Sequence, residues 1–245
     1  FNDVSCATCH SGDGRGLLRN ALVRFGSESD GFLANLGGPQ LQDQAITGAE
    51  AETLPDAPYS VRLPPPVFGA GLIEAIPVGD ILANVDSLDA DGDGISGRPN
   101  WVMAASFVPA TEPGGGAGLR LGRFGRKAQN AVLLQQVVEA YLQDMGITSP
   151  FLPLENRNPL SSVPIEAVDR VPDPEISESV VQAVTHYVRA LAPPAPGVET
   201  TRRAEGRMLF TQVQCAKCHV PAFTTGPSPI PALAARTVDL YSDLL

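Results

Sequence analysis

The stretch FNDVSCATCH at residues 1–10 returns as FTQVQCAKCH at residues 210–219, matched at Phe1/Phe210, Val4/Val213, Cys6/Cys215, Ala7/Ala216, Cys9/Cys218 and His10/His219. Together the two copies hold all 4 cysteines of the chain. Cys-x-x-Cys-His is the attachment signal of a c-type haem. Two thiols three positions apart on a tight turn reach the two vinyl groups of one porphyrin as thioethers, and the adjacent histidine lies under the ring and offers nitrogen to the iron. A zinc site built from both pairs is the competing reading. Zinc ribbons separate their pairs by about 15–20 residues, whereas one pair here stands at residues 6 and 9 and the other at 215 and 218. Zinc also leaves the two equivalent histidines without a reason. A thioredoxin-like dithiol lacks its βαβ setting. The repeat therefore reads as two haem-binding modules, one on Cys6, Cys9 and His10, the other on Cys215, Cys218 and His219. Such attachment is completed outside the cytoplasm, so a periplasmic or extracellular location is expected.

DADGDG is the second chemical motif. Asp89, Asp91 and Asp93 alternate before Gly94, as in the first half of a calcium loop, and the next carbonyl, that of Ile95, would point inward. The bidentate Glu of an EF-hand is missing, because Asn100 stands at its place. The bland alternative is a solvated acidic turn. Three carboxylates this close repel unless a cation neutralises them, which favours calcium.

His186 is the one histidine outside the repeat. Its helical angle puts it with Glu175, Gln182 and Arg189, opposite the apolar stripe, so a surface role is expected. Met103, Met145 and Met208 are the candidate thioether ligands; for each, core packing is the stronger reading. Asp144 precedes Met145 at the end of a helical pattern, where the macrodipole opposes a carboxylate and raises its pKa. Either a function retains it or it is a solvated surface residue.

The elements that must position these groups are short. Gly (24) and Pro (23) interrupt the periodic runs of this 245-residue chain, and hydrophobic residues make up 43% of it. That mixture implies a mainly α globular fold with long Gly/Pro-rich loops and no regular sheet. Residues 27–70 read as irregular, 71–85 as a short helix, 127–145 as the best helix, and 174–191 as a second one, burying Ile176, Val180, Val181, Val184, Tyr187, Val188 and Leu191 on one stripe. APPAPG suits a linker over 193–199, between a first haem domain over 1–192, carrying the calcium-type loop, and a second over 200–245. The net charge of −10 and pI near 4.7 exclude a phosphate-gripping surface, and hence nucleic acid. That acidity favours a redox partner with a basic docking face. No apolar run is long enough for a membrane span. The first CxxCH has five residues ahead of it, against a helical lead-in before the second, which implies a missing upstream segment with a processed export signal.

CATCHSGDGRG, GLIEAIP, DADGDGISGRPNWV, GRFGRKA and LQDMGIT together resemble the bacterial di-haem c-type oxidoreductases, relatives of di-haem cytochrome c peroxidase. The resemblance runs over nearly the whole chain. It implies two mostly helical cytochrome-c-like domains, one haem each, with calcium near their interface. By motif, His219 would hold the electron-entry iron and His10 the iron at which hydrogen peroxide is reduced. Asp144 resembles the acid of an acid-Met-Gly segment, with Gln136 as the weaker counterpart of a distal glutamine. An acid so placed would accept one peroxide proton and return it to the departing oxygen, help typically worth about 10²–10⁴-fold. Arg126 stands where members usually carry Trp, and relatives continue beyond YSDLL, so the second domain is expected to be incomplete. The competing function is a pure electron-carrying subunit of a larger redox assembly, without substrate turnover.

Overall fold

Glycine and proline set the lengths of the elements in the computed structural model, which describes residues 1–26 and 32–245. Residues 27–31, the start of the expected irregular stretch, lie outside it. The helix expected over 71–85 is two helices, Ala70–Ala75 and Val78–Leu82, because Pro77 has no N–H to continue the first and instead caps the second. The helix expected from 127 starts at Leu133, runs to Glu139, and then widens into a π turn over Ala140–Asp144. Its expected first turns are occupied differently. Asn130 and Phe124 exchange backbone hydrogen bonds of 2.9 and 3.2 Å around a turn at Gly125. That turn crosses the chain closely at Gly122, where a Cβ would lie 1.7 Å from the Ala128 carbonyl oxygen; only glycine fits there. The helix expected over 174–191 spans Glu178–Ala190. It buries Val181 and Thr185, while Val180 and Tyr187 are exposed, so its stripe is narrower than its periodicity implies. Helix Thr201–Gln212 begins where expected, capped by the Thr200 hydroxyl accepting from Arg203 N–H at 3.3 Å.

The expectation of a mainly α protein made of two cytochrome-c-like haem domains does not hold. Among the described residues there are seven α-helices, the longest of 13 residues, and three two-stranded antiparallel sheets. The sheets pair Leu22–Phe25 with Tyr59–Arg62, Trp101–Met103 with Leu119–Leu121, and Ala222–Thr224 with Thr237–Asp239. Strands of three or four residues are too short to show a period of two, which is why none was legible.

The chain forms two compact units, each drawn from two separate stretches: Phe1–Val67 with Leu134–Tyr187, and Phe68–Leu133 with Val188–Leu245. This partition differs from a cut at 193–199, and it puts the acidic loop in the same unit as the second CxxCH. In the first unit, Phe25, Leu134, Val137, Val138 and Val181 are buried. Asn2 and Asp3 N–H groups both donate to the Asp144 carbonyl, at 2.8 and 3.0 Å, tethering the residues ahead of Cys6 to the end of the π turn. In the second unit, Ile76, Ile81, Leu121 and Phe223 form one apolar cluster and Ala70, Phe124 and Leu133 another. The Arg123 guanidinium caps helix Ala70–Ala75, donating to the carbonyls of Ile73, Glu74 and Ile76 at 2.9, 3.1 and 2.6 Å.

Candidate haem-attachment sites and acid cluster

In the first unit Ser5 starts the helical turn Cys6–Cys9, its hydroxyl accepting from Thr8 N–H at 3.3 Å. His10 N–H closes the turn on the Cys6 carbonyl at 2.9 Å. Both thiols are free. Burial pushes the Cys9 thiol up to about 11, with Asp3 and Asp144 adding to the shift, and burial likewise raises Cys6. These sulfurs therefore stay protonated near neutrality, in surroundings that do not favour a thiolate nucleophile.

The His10 imidazole is pushed below its ordinary pKa by burial, the Pro65 carbonyl acting in the opposite sense. Its buried Nδ1 nevertheless finds no partner within hydrogen-bond geometry among the described residues. A neutral imidazole is the form that a haem iron takes, and with Nδ1 buried it is Nε2 that would serve, as in His219. The proline run 64–66 backs this motif: Val67 N–H donates to the Gly14 carbonyl at 3.2 Å, and the Pro64 ring lies against Gly16, where a Cβ would meet it at 3.3 Å.

Asp144 closes the same neighbourhood. Cys6 Sγ lies 3.8 Å from Met145 Sδ, so the residue after Asp144 touches the attachment turn. The π turn delivers both residues there, and such widenings of an α-helix are frequent at functional sites. Gln40 Nε2 donates to Asp144 Oδ1 at 2.7 Å. Burial raises the Asp144 carboxyl above its ordinary value, against that hydrogen bond and the charge of Arg24. Gln136 sits half-buried two turns earlier, on helix Leu133–Glu139. Gln40, which no sequence pattern singles out, is the side chain hydrogen-bonded to Asp144.

In the second unit Cys215–Lys217 form a 3₁₀ turn, and His219 N–H donates to the Cys215 carbonyl at 2.9 Å. His219 Nδ1 lies 2.9 Å from the Tyr241 carbonyl oxygen. A carbonyl only accepts, so Nδ1 carries the proton and Nε2 keeps its lone pair for a metal. Tyr241 is held by its N–H to the Pro221 carbonyl at 3.3 Å, and the Phe210 ring stands edge-on to both His219 and Tyr241 at 6.3 and 5.3 Å. The lead-in helix Thr201–Gln212 buries none of its residues; Met208, Leu209 and the following Val213 are all more than half exposed. An uncovered apolar edge beside the two thiols is the surface a porphyrin would cover. The residues present thus fit a haem at both motifs.

The acidic loop is arranged differently from its sequence alternation. Carboxylate oxygens of Asp86, Asp89 and Asp91 all lie within 4.8 Å of one another. Asp93 turns away to an ion pair with Lys217, one of the two residues between the cysteines of the second motif, and that hydrogen bond holds its carboxyl below the ordinary range. Ile95 contributes its N–H to Asp93 Oδ1 at 2.8 Å. Asp86 joins because an antiparallel bridge to Gly97 folds it back over the loop. His186 is exposed, as is Met103 on strand Trp101–Met103. No described helix is long and apolar enough to cross a membrane.

Compared with known proteins, the chain matches the family model described as "Di-haem oxidoreductase, putative peroxidase" over residues 50–245. The matched stretch includes the second CxxCH, the acidic loop and Asp144, and begins after the first CxxCH. No curated protein and no solved structure matches it.

Proposed function

This chain belongs to the di-haem oxidoreductase family, and from that premise we propose that it attaches two c-type haems covalently and reduces hydrogen peroxide at the first, with electrons entering through the second. Cys6 and Cys9 would anchor one porphyrin and His10 its iron; Cys215, Cys218 and His219 would do the same for the other. Bound there, the haems supply one-electron chemistry whose potentials follow from ligation and surroundings. His219, held by the Tyr241 carbonyl, presents Nε2 in a fixed orientation. His10, kept neutral by burial, would offer Nε2.

The observation that carries the peroxide reading is Asp144 at the first motif. Reduction of hydrogen peroxide to two waters consumes two electrons and two protons, so the site needs a group that takes a proton from one oxygen and returns it to the other. A carboxyl whose pKa is raised by burial and whose neighbour touches Cys6 suits that task. Gln136 is the weaker candidate for orienting the substrate. Asp86, Asp89 and Asp91, rather than the full alternation through Asp93, are the carboxylates we assign to calcium. The acidic surface fits a basic electron-donor protein, and haem attachment fits a periplasmic or extracellular setting.

Stopped-flow mixing of the reduced, haem-loaded protein with peroxide tests this. Rapid reoxidation of the haem bands is expected, slowed in Asp144→Asn at unchanged haem content. Reoxidation no faster than autoxidation would leave an electron carrier in place of an enzyme.

A further inference from the structure

Beside Gln40, in the unit formed by Phe1–Val67 and Leu134–Tyr187, lies a small chamber of about 80 Å³ walled by Gln40, Gln42, Glu52, Gln143, Asn156 and Arg157 among others. Gln42, Glu52, Asn156 and Arg157 also line a wider cleft of about 570 Å³, so the chamber adjoins an opening. The amide oxygens of Gln40, Gln42 and Gln143 are all buried and without a hydrogen-bond partner among the described residues. Gln40 is 1% exposed and Gln42 8%. Native interiors seldom leave such oxygens dry.

The orientation of Gln40 is settled by its other end. Its Nε2 faces three acceptors, Asn2 Oδ1 at 2.6 Å, Asp144 Oδ1 at 2.7 Å and the Gln143 carbonyl at 3.3 Å. Turning the amide over would set oxygen against oxygen, so Oε1 must face away from Asp144. None of the nearby protein donors reaches these oxygens, and each has an acceptor elsewhere. Gln42 Nε2 lies 3.3 Å from the Gln40 carbonyl, Asn156 Nδ2 donates to the Leu142 carbonyl at 2.7 Å, and Arg157 pairs with Glu166. Glu52 adds a further acceptor, one oxygen of which takes Gln42 N–H at 2.7 Å.

We propose that this chamber is a binding site for a small cluster of ordered water molecules, which donate to the stranded amide oxygens and thereby make Gln40 a positioning residue for Asp144. The volume suits a few waters, each occupying about 30 Å³ in the liquid and needing two to four polar partners. The three acceptors at Nε2 keep an N–H of Gln40, and not a lone pair, against Asp144, and water satisfies the oxygen that this orientation would otherwise leave dry. The carboxyl then has one fixed donor and one fixed direction. The inference rests on the reading of Asp144 as the acid of the first site only for its purpose; the chamber itself stands on geometry.

The test uses the haem-loaded protein and two readouts independent of turnover. A high-resolution crystal structure, repeated after a rubidium soak, should show two or more waters in the chamber and no rubidium. Infrared difference spectra identify the Asp144 carboxyl band by its loss in Asp144→Asn. Gln42→Leu removes one acceptor without touching Asp144 and should displace the waters and shift that band; Gln42→Asn, which keeps an amide oxygen, should restore it. A dry or rubidium-filled chamber, or an unmoved band in folded Gln42→Leu, overturns the proposal. Should Gln42→Leu fail to fold, the wild-type chamber alone decides it. Absence of peroxide turnover with a hydrated chamber would sink the enzyme reading instead.

Discussion

Gln40 and Asp144, 104 positions apart, meet in a hydrogen bond of 2.7 Å. Burial raises the carboxyl's pKa against both that hydrogen bond and the charge of Arg24, with which it forms no ion pair among the described residues. Arg24 is itself pushed down by burial, with Asp144 and Glu139 opposing. A carboxyl held this way is available for proton exchange because its ionised form is not locked by a salt bridge.

Asp144→Asn follows directly. The folded-state pKa of Asp144 is raised, so its contribution to stability is fully present below the unfolded value and is lost as pH rises through the folded one. Asparagine keeps an acceptor for Gln40 but cannot ionise. The variant should therefore resist urea better than wild type near about pH 8 and hold no advantage near about pH 3. The peroxide step should meanwhile slow by about 10²–10⁴-fold. Equal midpoints at both pH values would mean that Asp144 is not buried as an ionised group.

Haem attachment gives the second expectation. Cys215→Ala with Cys218→Ala should leave one covalently bound haem, and the same change at Cys6 and Cys9 should leave the other. The mass of the denatured protein and its pyridine haemochrome spectrum read this directly. Wild-type mass equal to the bare polypeptide would remove both haems from the account.

How far these sites were readable from sequence depends on how local they are. Each CxxCH is contiguous, so thiols, histidine and turn are legible together. Asp144 is legible through its place before Met145 and Gly146. Gln40 is not, because one glutamine in GGPQLQDQ carries no signature and its partner comes from the far side of the chain. Asp86 lies outside the alternation of DADGDG and is brought in by its bridge to Gly97, while Lys217 draws Asp93 away. The two-stranded sheets were invisible because strands of three or four residues are too short to show a period. The first turns expected of the helix over 127–145 have the right composition for a helix, yet the close crossing at Gly122 and the Phe124–Asn130 bridge claim that backbone. Tertiary contacts overrode a local preference.

Glu155 supplies a pH dependence of its own. Burial, then the charges of Asp173, Glu175 and Asp169, push its carboxyl up to about 7. Asp173 and Glu175 are both tied to Thr148, through its hydroxyl and its N–H, so the cluster cannot spread apart freely. Raised above the unfolded value, Glu155 supports folding fully below about pH 4.5 and withdraws that support as pH passes about 7. Urea midpoints of wild type should fall between about pH 5 and pH 8, and Glu155→Gln should fall less. Parallel curves for the two proteins would clear Glu155 of the effect.

The acidic loop separates two arrangements that its sequence cannot. Oxygens of Asp86, Asp89 and Asp91 converge within 4.8 Å, and so many like charges repel unless a cation joins them. Asp93 already has its cation in Lys217. Calorimetric titration with calcium should show affinity reduced about tenfold or more in Asp86→Asn, Asp89→Asn and Asp91→Asn, since ligand charge sets affinity in oxygen-ligated sites. Asp93→Asn should change it far less, because that carboxylate is spent on the lysine between Cys215 and Cys218. A loss in Asp93→Asn equal to the others, with Asp86→Asn neutral, would mean that Lys217 releases Asp93 to the ion and that the alternating triplet is the true ligand set.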